Sequence, residues 1–158
     1  MERILVFSDT HGNIDKALQI FDTIIGVTGV IHLGDYVRDA ERLENYIYPV
    51  PLYYVAGNND FFTPYPMEKM IEIAGKKLFL CHGHQYVRFG DIDSLKEVCS
   101  EKKADIALFG HTHTAYYEKD KNVIYANPGS TTQPRFSDRA YGVIEIENGV
   151  IGYSNIFI

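Results

Sequence analysis

Five short, largely apolar stretches of this chain each run into a cluster of ligand-type residues, and this constrains the fold more than any other feature. Arg3 to Phe7 leads into Asp9-Thr10-His11, Val30 to Leu33 into Gly34-Asp35, and Leu52 to Ala56 into Gly57-Asn58-Asn59-Asp60. Leu78 to Cys81 leads into His82-Gly83-His84, and Ile106 to Phe109 into Gly110-His111-Thr112-His113. Short β-branched and aromatic runs bounded by turn residues read as buried strands. Carboxyl ends of strands in an α/β sheet face one crevice, so the clusters are expected to converge. Five of the six histidines lie in three of them.

The segments between these strands set the architecture. Asn13 is a good N-cap for a helix carrying Ile14, Leu18, Phe21 and Ile25, with Gly26 as its stop, and Ala40 to Tyr48 reads as a second helix closed by Pro49. Strand, helix, strand, helix, strand implies right-handed crossovers and a largely parallel sheet. Later, Met70 to Ala74 and Lys77 to Cys81 read as a hairpin around Gly75, and Asp93 to Lys102 as an amphipathic helix. Tyr116 to Glu118 and Val123 to Ala126 flank the turn Lys119 to Asn122, and Asn148-Gly149 is a strong hairpin signal between Tyr141 to Glu147 and Val150 to Phe157. So many strands in 158 residues suggest two packed sheets with helices outside, as one domain over residues 1–158.

Charge and composition narrow the partners. The net charge of -6 leaves no basic footprint, so stable nucleic-acid binding is not expected, although action on a nucleotide stays open. The longest opening apolar run, Ile4 to Phe7, is too short for a membrane span or a signal-peptide core. Two cysteines, Cys81 and Cys99, make no disulfide framework and fit a reducing cytoplasm.

The spacings inside the clusters suit metal ligation. In extended chain, residues i and i+2 point the same way, so Asp9 with His11, and His111 with His113, can grip one ion. Imidazoles, carboxylates and an amide oxygen make a mixed site for a borderline or hard divalent metal. Each cluster alone has a structural reading: Asp-x-His as cap and turn, Gly-Asp as a loop start, Asn58-Asn59 as a left-handed turn. Together they point to metal, and their number fits two ions about 3.5–4 Å apart sharing a carboxylate. Mn²⁺ is the expected metal, with Fe²⁺, Ni²⁺, Zn²⁺ and Mg²⁺ as alternatives.

The ordered set Asp9-Thr10-His11-Gly12, Gly34-Asp35, Gly57-Asn58, His82-Gly83-His84 and Gly110-His111-Thr112-His113 resembles the calcineurin-like metallophosphoesterases, and within them the small single-domain phosphodiesterase branch of bacteria and archaea. Asn127-Pro128-Gly129-Ser130 followed by Pro134-Arg135 is similar to that branch too. The resemblance implies a four-layer α/β/β/α sandwich of two mixed sheets flanked by helices. It implies Asp9, His11 and His113 on one metal, Asn58, His82 and His111 on the other, and Asp35 bridging. It further implies that a hydroxide held between the ions attacks phosphorus in line.

The chain departs from many phosphatases of that superfamily, which carry a histidine after Gly-Asn and an aspartate downstream of Gly-Asp. Here Asn59 and Arg38 stand in those places, and neither donates a proton usefully near neutral pH. His84 is then the spare histidine for an acid or phosphate-donor role, and Asn59, Arg38 and Arg135 are the candidate substrate contacts. The expected partner is a small phosphodiester. A phosphomonoesterase, or a metal-binding interaction scaffold similar to the retromer scaffold subunit, are the alternatives. A homo-oligomer stays open.

Overall fold

The computed structural model describes all residues, 1–158. Its elements run β1 (Glu2–Phe7), α1 (Asp15–Thr23), β2 (Gly29–His32), α2 (Val37–Ile47), β3 (Leu52–Tyr54), β4 (Glu68–Ile73), β5 (Lys76–Cys81), α3 (Asp93–Lys102), β6 (Ile106–Leu108), β7 (Ala115–Asp120), β8 (Val123–Pro128), β9 (Ala140–Glu147) and β10 (Val150–Phe157). They form two five-stranded sheets, ordered β10-β9-β1-β2-β3 and β4-β5-β6-β8-β7. Both are mixed. β1, β2 and β3 pair in parallel while β9 and β10 run antiparallel, and β5, β6 and β8 pair in parallel between antiparallel β4 and β7.

Strand alternation builds the layers. Successive side chains on a strand point to opposite faces. Ile4 and Val6 therefore pack inward with Ile31 and Leu33 against Leu78, Leu80, Ile106 and Leu108 of the other sheet. Leu5 and Phe7 point the other way, onto Ala17 and Ile20 of α1 and Leu43 and Ile47 of α2. In the second sheet Phe79, Cys81, Ala107 and Phe109 face outward onto Leu95 and Cys99 of α3. The result is the expected four-layer sandwich, helices outside and sheets face to face.

The hairpins and α3 stand close to where the sequence places them, though β7 runs on through Lys119 and Asp120 and leaves only Lys121-Asn122 as its turn; Asn148-Gly149 has positive φ at both residues, as the tight turn requires. The first two helices differ in detail. The N-cap of α1 is Ile14, one residue past Asn13, and the Asn13 side chain instead accepts the backbone N–H of Asp15 at 3.1 Å. The helix ends at Thr23, short of Gly26. Helix α2 begins three residues before Ala40 because its free N–H at Val37 is capped from far away in sequence, by Asp60 at 2.8 Å. No helix is long and apolar enough to cross a membrane.

Candidate metal centre

All five clusters lie at the carboxyl ends of β1, β2, β3, β5 and β6, and they meet. Asp9 and Asp35 are buried between imidazoles. Asp9 Oδ1 lies 3.3 Å from His113 Nε2, 3.7 Å from His82 Nε2 and 3.9 Å from His11 Nε2. Asp35 Oδ2 lies 3.7 Å from His11 Nε2 and 3.5 Å from His82 Nε2, so it faces two histidines at once. His111 Nδ1 faces Asn58 Oδ1 at 3.1 Å. Two groups of potential ligands result, Asp9-His11-His113 and Asp9-Asp35-His82, with Asp9 common to both. The resemblance implied Asp9 on one metal only; the fold leaves its Oδ1 within reach of both groups.

The backbone is bent to achieve this. Asp9, His11, Asp35, His111 and His113 all have φ between 45° and 66°, a left-handed conformation that side-chain-bearing residues seldom adopt outside functional loops. The i, i+2 pairs therefore converge through alternating left-handed turns and not, as the spacing suggested, through extended chain.

The ring nitrogens are oriented by their outer partners. His82 Nδ1 faces the carbonyl of Leu33 and His113 Nδ1 that of Gln133, both at 2.7 Å. A carbonyl only accepts, so each Nδ1 carries a proton, and in the neutral ring each Nε2 presents a lone pair to the carboxylates. His11 Nε2 and His113 Nε2 stand 3.2 Å apart. Asp9 Oδ1 and His82 Nε2 are buried with no hydrogen-bond partner at all. Buried acceptors aimed at one another without a donor are unfavourable unless a cation lies among them, and a mixed imidazole, carboxylate and amide set fits a divalent metal.

The electrostatics add a competitor for the same position: Asp9 and His113 favour each other's charged forms, so a proton on His113 contends with a cation. Burial pushes the Asp9 carboxyl upward, but His113, His82 and Ser8 more than offset it and hold it below its usual value. Burial acts to lower His113, yet Asp9 beside it leaves it raised. His111 is lowered by burial and by neighbouring His82.

A shell of polar groups fixes the ligands. Ser8 and the His111 backbone N–H both donate to Asp9 Oδ2, at 2.7 and 2.9 Å. Asn59 donates to Asp35 twice, from its backbone N–H to Oδ1 at 3.1 Å and from Nδ2 to Oδ2 at 2.6 Å. Asn59, a candidate substrate contact from the sequence, thus also holds the Asp35 carboxylate, a candidate metal ligand. Asp60 accepts the backbone N–H groups of Asp35, Gly57 and Val37. Ser130 donates to the Asp9 carbonyl at 2.9 Å, and Asn127 Nδ2 to the Gly110 carbonyl at 2.8 Å. His32 packs outside the candidate ligands, its Nε2 on Thr10 Oγ1 at 2.9 Å, while Thr10 donates to buried Asp39. Asp39 was missed; nothing in its local pattern sets it apart from an ordinary helical aspartate. Cys81 is core, its thiol on the Leu108 carbonyl.

The remaining candidates border two clefts. His84 and Arg135 line one cleft with His111, and Arg38 lines the other with Asn59, Phe61, Phe62 and Tyr65. Burial and the nearby imidazoles of His82 and His111 lower His84, so it is neutral at pH 7. Its Nδ1 is buried without a partner.

Known proteins share this chain's sequence pattern and fold. A probable metallophosphoesterase of Methanothermobacter thermautotrophicus is 32% identical over 148 residues, 90% of this chain and 84% of the relative. A predicted phosphoesterase of Streptococcus pneumoniae superposes with a TM-score of 0.82 at 29% identity, over 98% of this chain and 88% of that one. An archaeal phosphodiesterase superposes at 0.75 with 25% identity, over 98% and 99% of the two chains. The zinc complex of Vps29 from Entamoeba histolytica shares the fold at 0.78, with 20% identity over 98% of each chain. Residues 2–149 match the calcineurin-like phosphoesterase superfamily domain, and the chain belongs to that superfamily.

Proposed function

We propose that this chain is a phosphodiesterase holding two divalent cations, with Asp9, His11 and His113 on one, Asn58, His82 and His111 on the other, and Asp35 between them. The observation that carries the reading is the set of unpartnered acceptors, Asp9 Oδ1 and His82 Nε2, inside a ring of imidazoles and carboxylates. Such cations supply a nucleophile from water near neutral pH and offset charge on the phosphoryl oxygens. Mn²⁺ suits this donor set, with Fe²⁺, Ni²⁺, Zn²⁺ and Mg²⁺ as alternatives.

The protein's own share is positioning. Asn59 and Asp60 hold Asp35 and its loop, and Ser130 and Asn127 hold the loops of Asp9 and His111. His84, neutral and bordering the site, serves as a hydrogen-bond donor to the phosphoester; its lowered pKa argues against the acid role. With no acid at position 59, good leaving groups are preferred. Diester specificity is supported by the two clefts, one reaching His111 and the other Asn59 beside Asn58, which offer room for two ester substituents. Free Cys81 and Cys99 suit a cytoplasmic setting.

The test is to strip the protein with a chelator, restore Mn²⁺, and compare bis-p-nitrophenyl phosphate with p-nitrophenyl phosphate. Metal-restored turnover favouring the diester is expected. Faster cleavage of the monoester would make it a phosphomonoesterase, and no cleavage of either with metal bound would make it an interaction scaffold.

A further inference from the structure

Two phenylalanines beside the metal-ligand cluster are placed where no folding requirement puts them. Phe89 and Phe136 are fully exposed, and both have left-handed backbone, with φ of 51° and 52°. Phe89 is the first central residue of a tight turn closed by reciprocal hydrogen bonds between Arg88 and Asp91, with Gly90 at φ 79° behind it. Positive φ at both central residues is the geometry that favours Asn-Gly, and a bulky aromatic there gains nothing from burial. Phe136 sits in a loop that is pinned on both sides. The Arg135 N–H donates to the His113 carbonyl at 2.9 Å, the Arg135 carbonyl accepts from Thr114 at 2.5 Å, and Ser137 accepts the Ala115 N–H at 3.1 Å. These rings are therefore held out by ordered backbone.

Both rings line one cleft of about 830 Å³, within the size range of small-molecule sites. Phe109 and Tyr116, with ring centroids 5.8 Å apart, line it too, and His84 and His111 join it to the metal-ligand cluster. Arg88 and Arg135 border it and no carboxylate does, in a chain whose net charge is -6. The other cleft, of about 540 Å³, carries Glu41 and Asp60. Cationic and aromatic lining together select a flat ring joined to an anion.

We infer that this cleft is the subsite for a nucleoside substituent of the substrate, its base against Phe89 and Phe136 and its negative charge toward Arg88 and Arg135. The inference rests on the phosphodiesterase reading and names its substrate class. Every base has a flat face, so such stacking selects nucleotidyl esters over alkyl esters without selecting one base.

The experiment compares p-nitrophenyl thymidine 5′-phosphate with methyl p-nitrophenyl phosphate, which share a leaving group, in the Mn²⁺-restored protein and in the Phe89→Ala/Phe136→Ala variant. The kcat/KM ratio is expected to favour the nucleotidyl ester about tenfold and to fall toward unity in the variant, the change one base–aromatic stack brings. Independently of turnover, binding of thymidine 5′-monophosphate to the metal-stripped protein, followed by ligand-observed NMR, weakens about fivefold or more in the variant. A ratio near one in the parent protein, or unchanged in the variant, overturns the subsite. If neither ester is cleaved, the phosphodiesterase reading fails, and the NMR measurement decides the subsite alone: equal binding by parent and variant overturns it.

Discussion

Asn59 clamps Asp35 with two hydrogen bonds, one from its backbone and one of 2.6 Å from its side chain, and so fixes both oxygens of the carboxylate that faces His11 and His82. The position next to Asn58, read from sequence as a vacancy for a missing acid, is occupied by a residue with a different task. Outer residues that orient metal ligands typically contribute about 10–100-fold to metal affinity or activity. Asn59→Ala is expected to weaken Mn²⁺ binding and diester turnover by a factor in that range while leaving the thermal midpoint nearly unchanged, because Asn59 is exposed. Calorimetric titration of the chelator-stripped variant checks this, and undiminished affinity would show that Asp35 needs no clamp.

Asp60 supports the same loop from beneath. Its carboxylate accepts three backbone N–H groups, those of Asp35, Gly57 and Val37, and it caps α2 across 23 residues of sequence. Losing a cap of this kind costs about 0.5–2 kcal/mol, and stranding further partly buried N–H groups adds about 1 kcal/mol or more. Asp60→Ala should therefore lower stability by about 2–3 kcal/mol, or roughly 4–12 °C in the thermal midpoint of a protein this size. Asp60→Asn, which keeps one acceptor oxygen, should fall between the two. Equal melting of all three proteins would contradict the role.

These two residues show what was legible in the sequence and what was not. The convergence of the candidate ligands could be read because each follows a strand, and strand ends converge whatever the details of the loops. The layers could be read from alternation such as Ile4, Leu5, Val6, Phe7, which buries both faces of β1. Asp60 and Asp39 could not, because their partners lie far away in sequence: Asp39 serves Thr10 and the Gly12 N–H, and Asp60 serves Asp35 and Val37. For the same reason local signals began α2 too late. The exposed rings of Phe89 and Phe136 were invisible too, since a sequence does not say that a phenylalanine will be held in solvent.

Metal should stabilise the fold measurably. The acceptors of Asp9 and His82 have no other partner, and an ion bound to the native state alone adds about 2.7 kcal/mol at a concentration 100 times its Kd. Calorimetry with and without Mn²⁺ should thus show a midpoint about 5–10 °C higher with metal. The increment should shrink as pH falls. Burial acts to lower His113 but neighbouring Asp9 leaves it raised, so a proton competes for Nε2 at higher pH than for an ordinary histidine. An increment equal at pH 6 and pH 8 would argue that His113 is not a ligand.

Two glycines separate steric from conformational demands. A Cβ on Gly57 would stand 2.1 Å from Asp35 Oδ1 and 2.9 Å from the Asp35 backbone nitrogen, although Gly57 does not itself have a positive φ. Alanine there is unstrained in its backbone yet must displace the carboxylate from between His11 and His82. At Gly75 the situation is reversed: φ is +76° and nothing lies within 4 Å of an added Cβ. Gly75→Ala should lose about 1–2 kcal/mol from the left-handed backbone alone and keep its Mn²⁺ affinity and diesterase activity. Gly57→Ala should lose Mn²⁺ affinity by about 100-fold, the upper end of what misplacing a ligand brings, and lose turnover with it. The two variants measured side by side, by melting and by metal titration, distinguish a loop that merely folds from one that aims a ligand. Retained metal binding in Gly57→Ala would mean that Asp35 is not held where the centre needs it.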